Sequence, residues 1–149
     1  MEAVIFIGIQ ATGKSTFYKE KFFRTHMRIN LDMLKTRNRE DIFLDACIRA
    51  KQPFVVDNTN STADERKKYI EIAKKAGLKV IGYYFQSGIN KAVLRNKERE
   101  GKERIPLAGI KSTHARLQLP DMNEGFNELY YVRIDEENKF VVEEWKNEI

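Results

Sequence analysis

Val4-Ile-Phe-Ile-Gly-Ile-Gln-Ala-Thr-Gly-Lys-Ser15 is the stretch on which the reading of this sequence turns. Four apolar residues run without interruption into Gly8, as in a strand buried on both faces of a parallel sheet. From Gly8 the chain meets the pattern G-x-x-x-x-G-K-[ST] at every fixed position, closing with Gly13, Lys14 and Ser15. The glycines permit a tight turn that aims backbone N–H groups at phosphate oxygens. A helix opening at Lys14 adds its positive N-terminal end. Lys14 is then placed to reach the β- and γ-phosphates, and the Ser15 hydroxyl to meet Mg²⁺. The stretch predicts a site for ATP, and nothing in it excludes GTP.

Outward from this loop, strand and helix patterns alternate. A helix is expected over 14–24, with Phe17, Phe22 and Phe23 as packing residues. A short strand follows over 26–30. The next helix, over 39–51, carries Ile42, Phe43, Ala46, Cys47 and Ala50 as its apolar face. Pro53 ends that helix, and Phe54-Val-Val56 reads as a strand closing on Asp57. A helix over 62–76 with Gly77 as its C-terminal cap, a strand over 79–86 and a helix over 89–98 come next. The charged run 98–104 is too polar for a core element and reads as a solvated loop. A helix over 106–117 and strands over 128–134 and 140–142, paired as a hairpin, complete the pattern. Such alternation predicts an α/β fold, a mostly parallel central sheet flanked by helices.

Composition narrows the class. The chain has 149 residues, enough for one domain with its own core, and no linker-like segment divides it. No apolar run is long enough for a transmembrane helix, and the opening residues lack the features of a signal peptide, so a cytoplasmic protein without a membrane partner is expected. Cys47 is the single cysteine and has no internal disulfide partner. No Cys/His cluster has metal-ligand spacing. The net charge of +5 permits a polyanionic partner without requiring one.

Beyond nucleotide binding, three groups of residues suggest phosphoryl transfer. Asp57 ends an apolar strand, where a carboxylate helps to hold Mg²⁺ or its water. Asp32 follows the second strand, so it should lie at the crevice where parallel strands end. There it is either a base that accepts an acceptor's hydroxyl proton or a helix N-cap. Arg95 and Arg99, four apart, share one face if helical. They serve either as lid arginines over the triphosphate, on a lid spanning about 95–106, or as a solvated face. Lys35 and Arg37 could bind a phosphate of the acceptor.

Taken together, Gly8-Ile-Gln-Ala-Thr-Gly-Lys-Ser-Thr-Phe17, Ile29-Asn-Leu-Asp32, Val55-Val-Asp-Asn-Thr-Asn60, Arg95-Asn-Lys-Glu-Arg99 with Arg104-Ile-Pro106, and Pro120-Asp-Met-Asn-Glu-Gly-Phe126 follow one order. In these segments the chain resembles the 5′-kinase domain of polynucleotide kinases, within the small phosphate-loop kinases. The resemblance implies a three-layer P-loop NTPase fold with a short lid. It implies a donor site at Gly8, Gln10, Ala11, Thr12, Gly13, Lys14, Ser15 and Thr16, with Arg95 and Arg99 over the donor phosphates. It also implies Asp32 as general base toward a 5′-hydroxyl of DNA or RNA, Asp57 near Mg²⁺, and Asn58 and Asn60 shaping the acceptor site. Lys35 stands where members can carry an acceptor-binding arginine, and Leu31 where they often carry arginine. Phosphoryl transfer to a small-molecule hydroxyl and a nucleotide-dependent switch remain the alternatives. The base is expected near the lid and the loop 120–123.

Overall fold

The computed structural model describes residues 1–101 and 104–146. Six strands form one sheet: β1 (Glu2–Ile7), β2 (Met27–Ile29), β3 (Phe54–Val56), β4 (Lys79–Phe85), β5 (Glu128–Ile134) and β6 (Phe140–Glu144). Their spatial order is β2-β3-β1-β4-β5-β6. The first five are parallel, and β6 returns antiparallel to β5. The helices are α1 (Lys14–Lys21), α2 (Leu31–Leu34), α3 (Arg37–Ala50), α4 (Ala63–Lys75), α5 (Ile89–Lys97) and α6 (Leu107–Arg116). This is the expected three-layer α/β arrangement. Of the expected lid, residues 102 and 103 lie outside the described residues.

β1 is central and buried on both faces from Ala3 to Ile7, so its side chains feed two cores by simple alternation. Ala3, Ile5 and Ile7 join Leu44, Cys47, Tyr69 and Ile70 beneath α3 and α4. Val4 and Phe6 join Phe17, Tyr18 and Phe22 of the α1 segment on the other face. Phe6 meets Phe17 edge-on at 5.8 Å between ring centroids and Phe85 at 5.0 Å. These contacts anchor α1, and with it the loop that precedes it.

Local signals set the helix ends. The Thr36 side chain accepts from the Arg39 N–H to start α3, and Thr62 does the same for Glu65 at α4. Past the end of α4, Gly77 takes φ +75°, the left-handed conformation that glycine adopts without penalty.

Two packing expectations are corrected. Phe23 is 70% exposed, because α1 ends at Lys21 and the chain turns before residue 23 can reach the core. In α3 the inward face is Glu40, Leu44 and Cys47, spaced four and three apart, while Ile42, Phe43, Ala46 and Ala50 are exposed. Only Cys47 of the expected apolar face is buried. Among the described residues, no helix is long and apolar enough to cross a membrane.

Candidate active site

The loop between β1 and α1 is built by backbone geometry. Ala11 and Gly13 take positive φ of 62° and 93°, turning successive peptide groups inward. A Cβ on Gly13 would come within 2.9 Å of the Phe140 ring, so the β5–β6 hairpin packs directly against the loop. The Gly8 N–H donates to Thr59 O, the Thr12 hydroxyl to Ile9 O, and the Gln10 amide to Thr113 Oγ1 on α6. Thr16 sits exposed on the first turn of α1.

Lys14 is buried and curls back over the loop. Its ammonium donates to Gly8 O at 2.9 Å and Ile9 O at 2.6 Å. Burial pushes its pKa down to about 8; Asp57 opposes that shift, Arg99 adds to it and Asp32 opposes it. Three charges from three other chain segments therefore act on Lys14.

Sheet register explains how Asp57 arrives. Arg28 pairs with Val55 across β2 and β3, and Val4 pairs with Val55 across β1 and β3. All three side chains face α1, and so does Asp57, two residues past Val55. The Asp57 carboxylate accepts from the Ser15 hydroxyl at 3.1 Å and from Arg28 Nε at 2.8 Å. Arg28 Nη2 also donates to Ser15 Oγ at 3.0 Å.

The run Asp57-Asn-Thr-Asn60 works as a junction between strand ends. Asp57 O accepts from the Asn30 amide at 2.5 Å, and the Asn58 carbonyl accepts the Leu31 N–H at 2.9 Å. Asn60, at φ +45° and buried, donates to Phe6 O at 2.7 Å. Asn30 also accepts from Met33 N–H and is thus the N-cap of α2. That role is not left to Asp32, which sits exposed in the first turn of α2.

These groups surround a cleft of about 320 Å³ lined in part by Gln10, Lys14, Ser15, Asp32, Asp57, Asn58 and Arg99, together with Arg28 and Leu31. Several expected site residues stand elsewhere. Arg95 and Arg99 do not share a helical face, because α5 ends at Lys97. Arg99 borders the cleft, while Arg95 lines a separate open groove with Gln86, Lys91, Arg133 and the turn from Ile134 to Asn138. Asn60 braces β1 from within the core. Lys35 is exposed just past α2 at φ +76°. Arg37 is held by Glu40 at 3.2 Å and the Tyr69 hydroxyl at 2.9 Å. Loop 120–123 runs along α4, where Glu124 grips the fully buried Arg66 through both carboxylate oxygens.

Two residues escaped the sequence reading. Arg28 gave no local signal; only strand parity relative to Asp57 could have found it. Glu40 is completely buried and accepts from Arg37, Lys68 at 3.0 Å and Tyr69 at 2.9 Å, with the Asn58 amide at 3.4 Å. Burial and Glu40 push the Tyr69 hydroxyl far above its usual range. Its signal was the spacing to Leu44 and Cys47, obscured by the more apolar stripe beside it. Through Asn58, this network holds the start of α2 and hence the backbone bearing Asp32. Glu40→Gln keeps the shape but forces an amide among donors. It should lower unfolding free energy by about 1–3 kcal/mol, read as a lower urea midpoint at unchanged slope.

Ser15 and Asp57 fit a divalent cation. Both present hard oxygens to the same cleft, and an arginine cation already bridges them. Mg²⁺ commonly takes only one or two protein oxygens besides phosphates and waters.

The sheet order, the loop and the strand-end carboxylate define a kinase-like phosphate-loop fold. The chain belongs to the AAA domain family AAA_33, whose model matches residues 4–120. It is 29% identical over 129 residues, 84% of its length, to the bifunctional polynucleotide phosphatase/kinase of Schizosaccharomyces pombe. It spans only 32% of that relative. Among solved structures it is similar to Kti12 of Chaetomium thermophilum in complex with ADP-AlF3, with a TM-score of 0.66, 18% identity, and 91% of this chain and 92% of that one covered. A gluconokinase from Sinorhizobium meliloti 1021 is also similar, with a TM-score of 0.61, 18% identity, and coverage of 89% and 82%.

Proposed function

We propose that this chain is an ATP-dependent kinase that transfers the γ-phosphate to a 5′-hydroxyl end of DNA or RNA. The observation that carries the proposal is the single cleft in which the loop lysine, a strand-end acid, a lid arginine and a second carboxylate meet. A switch that only binds nucleotide has no use for Asp32. The choice of a polynucleotide acceptor rests on the relative named above and on the resemblance of the Asp57–Asn60 run.

In this reading the phosphates lie over the loop N–H groups of residues 8–15, and Lys14 leaves its carbonyl partners for the β- and γ-oxygens. Arg95 lies in a groove beside the turn after β5, at the hairpin that packs on Gly13, and the base is assigned to that side. Mg²⁺, held on the Ser15 and Asp57 side, would neutralise phosphate charge. The acceptor oxygen forms its bond to the γ-phosphorus as the β–γ bridging bond breaks, and ADP leaves. Asp32 takes the hydroxyl proton, and Arg99 offsets charge on the transferring group. Positioning and electrostatics supply the rest of the acceleration.

One observation favours a small-molecule acceptor as the second reading. Arg37 is committed to Glu40 and Tyr69, and Lys35 lies outside the cleft, so the acceptor side is less basic than the sequence suggested. Incubation with γ-labelled ATP and Mg²⁺ decides between them. Label should appear on 5′-hydroxyl oligonucleotides, with acceptor binding that weakens as salt rises. Label on nucleosides or sugars alone would establish the second reading, and slow hydrolysis with no labelled acceptor would overturn both.

A further inference from the structure

We propose that Arg28 is an internal stand-in for the metal, so that Arg28 and Mg²⁺ occupy the Ser15–Asp57 pair in alternation. This rests on the reading of Ser15 and Asp57 as the metal side of the site.

Asp57 is 2% exposed, and a carboxylate so buried needs a counter-charge. Arg28 supplies it, with Nε on Asp57 Oδ2 and Nη2 on Ser15 Oγ. The Ser15 hydroxyl has one proton and two lone pairs. The proton goes to Asp57, and the oxygen accepts from Arg28. A hydroxyl-bound Mg²⁺ sits about 2.1 Å from its oxygen. With Arg28 at 3.0 Å from that same oxygen, two cations would crowd one atom and one carboxylate.

The arginine can leave without unfolding its surroundings. Its side chain retains partial exposure, 28%, and borders the open cleft, unlike the completely buried Arg66. β2 is also the edge strand of the sheet. Metal arrival is therefore coupled to release of a guanidinium into the cleft that holds Asp32. Without nucleotide, the same guanidinium keeps a buried acid from standing unpaired.

Two measurements test this. In the ¹⁵N spectrum, the Arg28 Nε–H should be protected from solvent exchange in the free protein and with ADP plus chelator. It should lose that protection with saturating Mg²⁺ and ADP. In Mg²⁺ titrations of the ADP complex, Arg28→Gln should lower the Mg²⁺ concentration for half-saturation by about tenfold, since a competing charge worth that much at close range is gone. Arg28→Lys, which keeps the charge, should stay near wild type and guards against a folding defect. An Nε–H that stays protected with Mg²⁺ and ADP bound would overturn the inference alone. An unchanged or raised half-saturation in Arg28→Gln would do the same. Absence of any Mg²⁺ effect in the wild type would overturn the metal reading and this inference with it.

Discussion

Asp32→Asn should lower kcat for phosphoryl transfer by roughly 10³-fold, within the 10²–10⁴ range of a positioned general base, while Mg²⁺-ADP binding is retained. The substitution keeps size and shape, and the turn that carries residue 32 does not depend on its side chain. Asn30 caps α2, and Asn58 holds the Leu31 N–H. The amide cannot take the hydroxyl proton, so the loss falls on the chemical step and not on donor binding. Single-turnover transfer and a separate ADP titration divide the two. Asn58→Ala is the informative companion, because it should disturb the placement of Asp32 and reduce transfer less steeply. Full activity in Asp32→Asn would remove this residue from the mechanism. The kinase reading would then have to find its base elsewhere in the cleft.

The contrast between Asp32 and Arg28 shows what the sequence made legible. Asp32 was found because it follows a strand end in an alternating pattern, and parallel strands place such ends at one crevice. The loop from Gly8 to Ser15, the strand ending at Asp57, the Gly77 cap and the hairpin after Glu128 were all readable, since each is written in a few adjacent residues. Arg28 depends on how three non-adjacent strands align, and no local pattern records register. Arg95 and Arg99 were paired by assuming one continuous helix. The helix ends at Lys97 with Glu98 as its C-cap, and the two arginines line different hollows.

α3 shows a different limit. Its most apolar stripe, Ile42 with Phe43 and Ala46, faces solvent, and its buried face begins with a glutamate. A pattern that ranks residues by hydropathy puts Glu40 outside. Four donors supplied by α3, α4 and the Asn58 turn make its burial tolerable. That compensation exists only in three dimensions. The network matters for the site, because it holds Arg37 through one guanidinium nitrogen and, through Asn58, steadies the turn before Asp32.

Lys14 gives the second large effect, and it has a pH signature. Lys14→Met should weaken ADP and ATP binding by about 2–5 kcal/mol, the range for removing one member of a buried charge pair. The wild type should show a further dependence that the variant lacks. In the free protein burial holds the Lys14 pKa at about 8, below its ordinary 10.5. Bound phosphates raise it again, so binding takes up a proton wherever the free ammonium has titrated and the bound one has not. Below pH 8 Lys14 is charged in both states and contributes no slope. Above pH 8 affinity should fall, approaching tenfold per pH unit for one proton taken up. The terminal phosphate of the nucleotide titrates below this window. Burial pushes the Cys47 thiol and the Tyr18 hydroxyl up, which moves both away from its lower end. The sign for folding is opposite. A depressed lysine pKa means that the unfolded chain binds more protons, so this group's penalty on the free protein is full below pH 8 and fades as pH rises toward 10.5. Nucleotide affinity and the stability of the empty protein should therefore move in opposite directions over the same interval. Titrations with a fluorescent ADP at several pH values, paired with melts of the empty protein, read both. A flat affinity above pH 8, or a slope that survives in Lys14→Met, would show that the lysine does not carry its charge onto the phosphates.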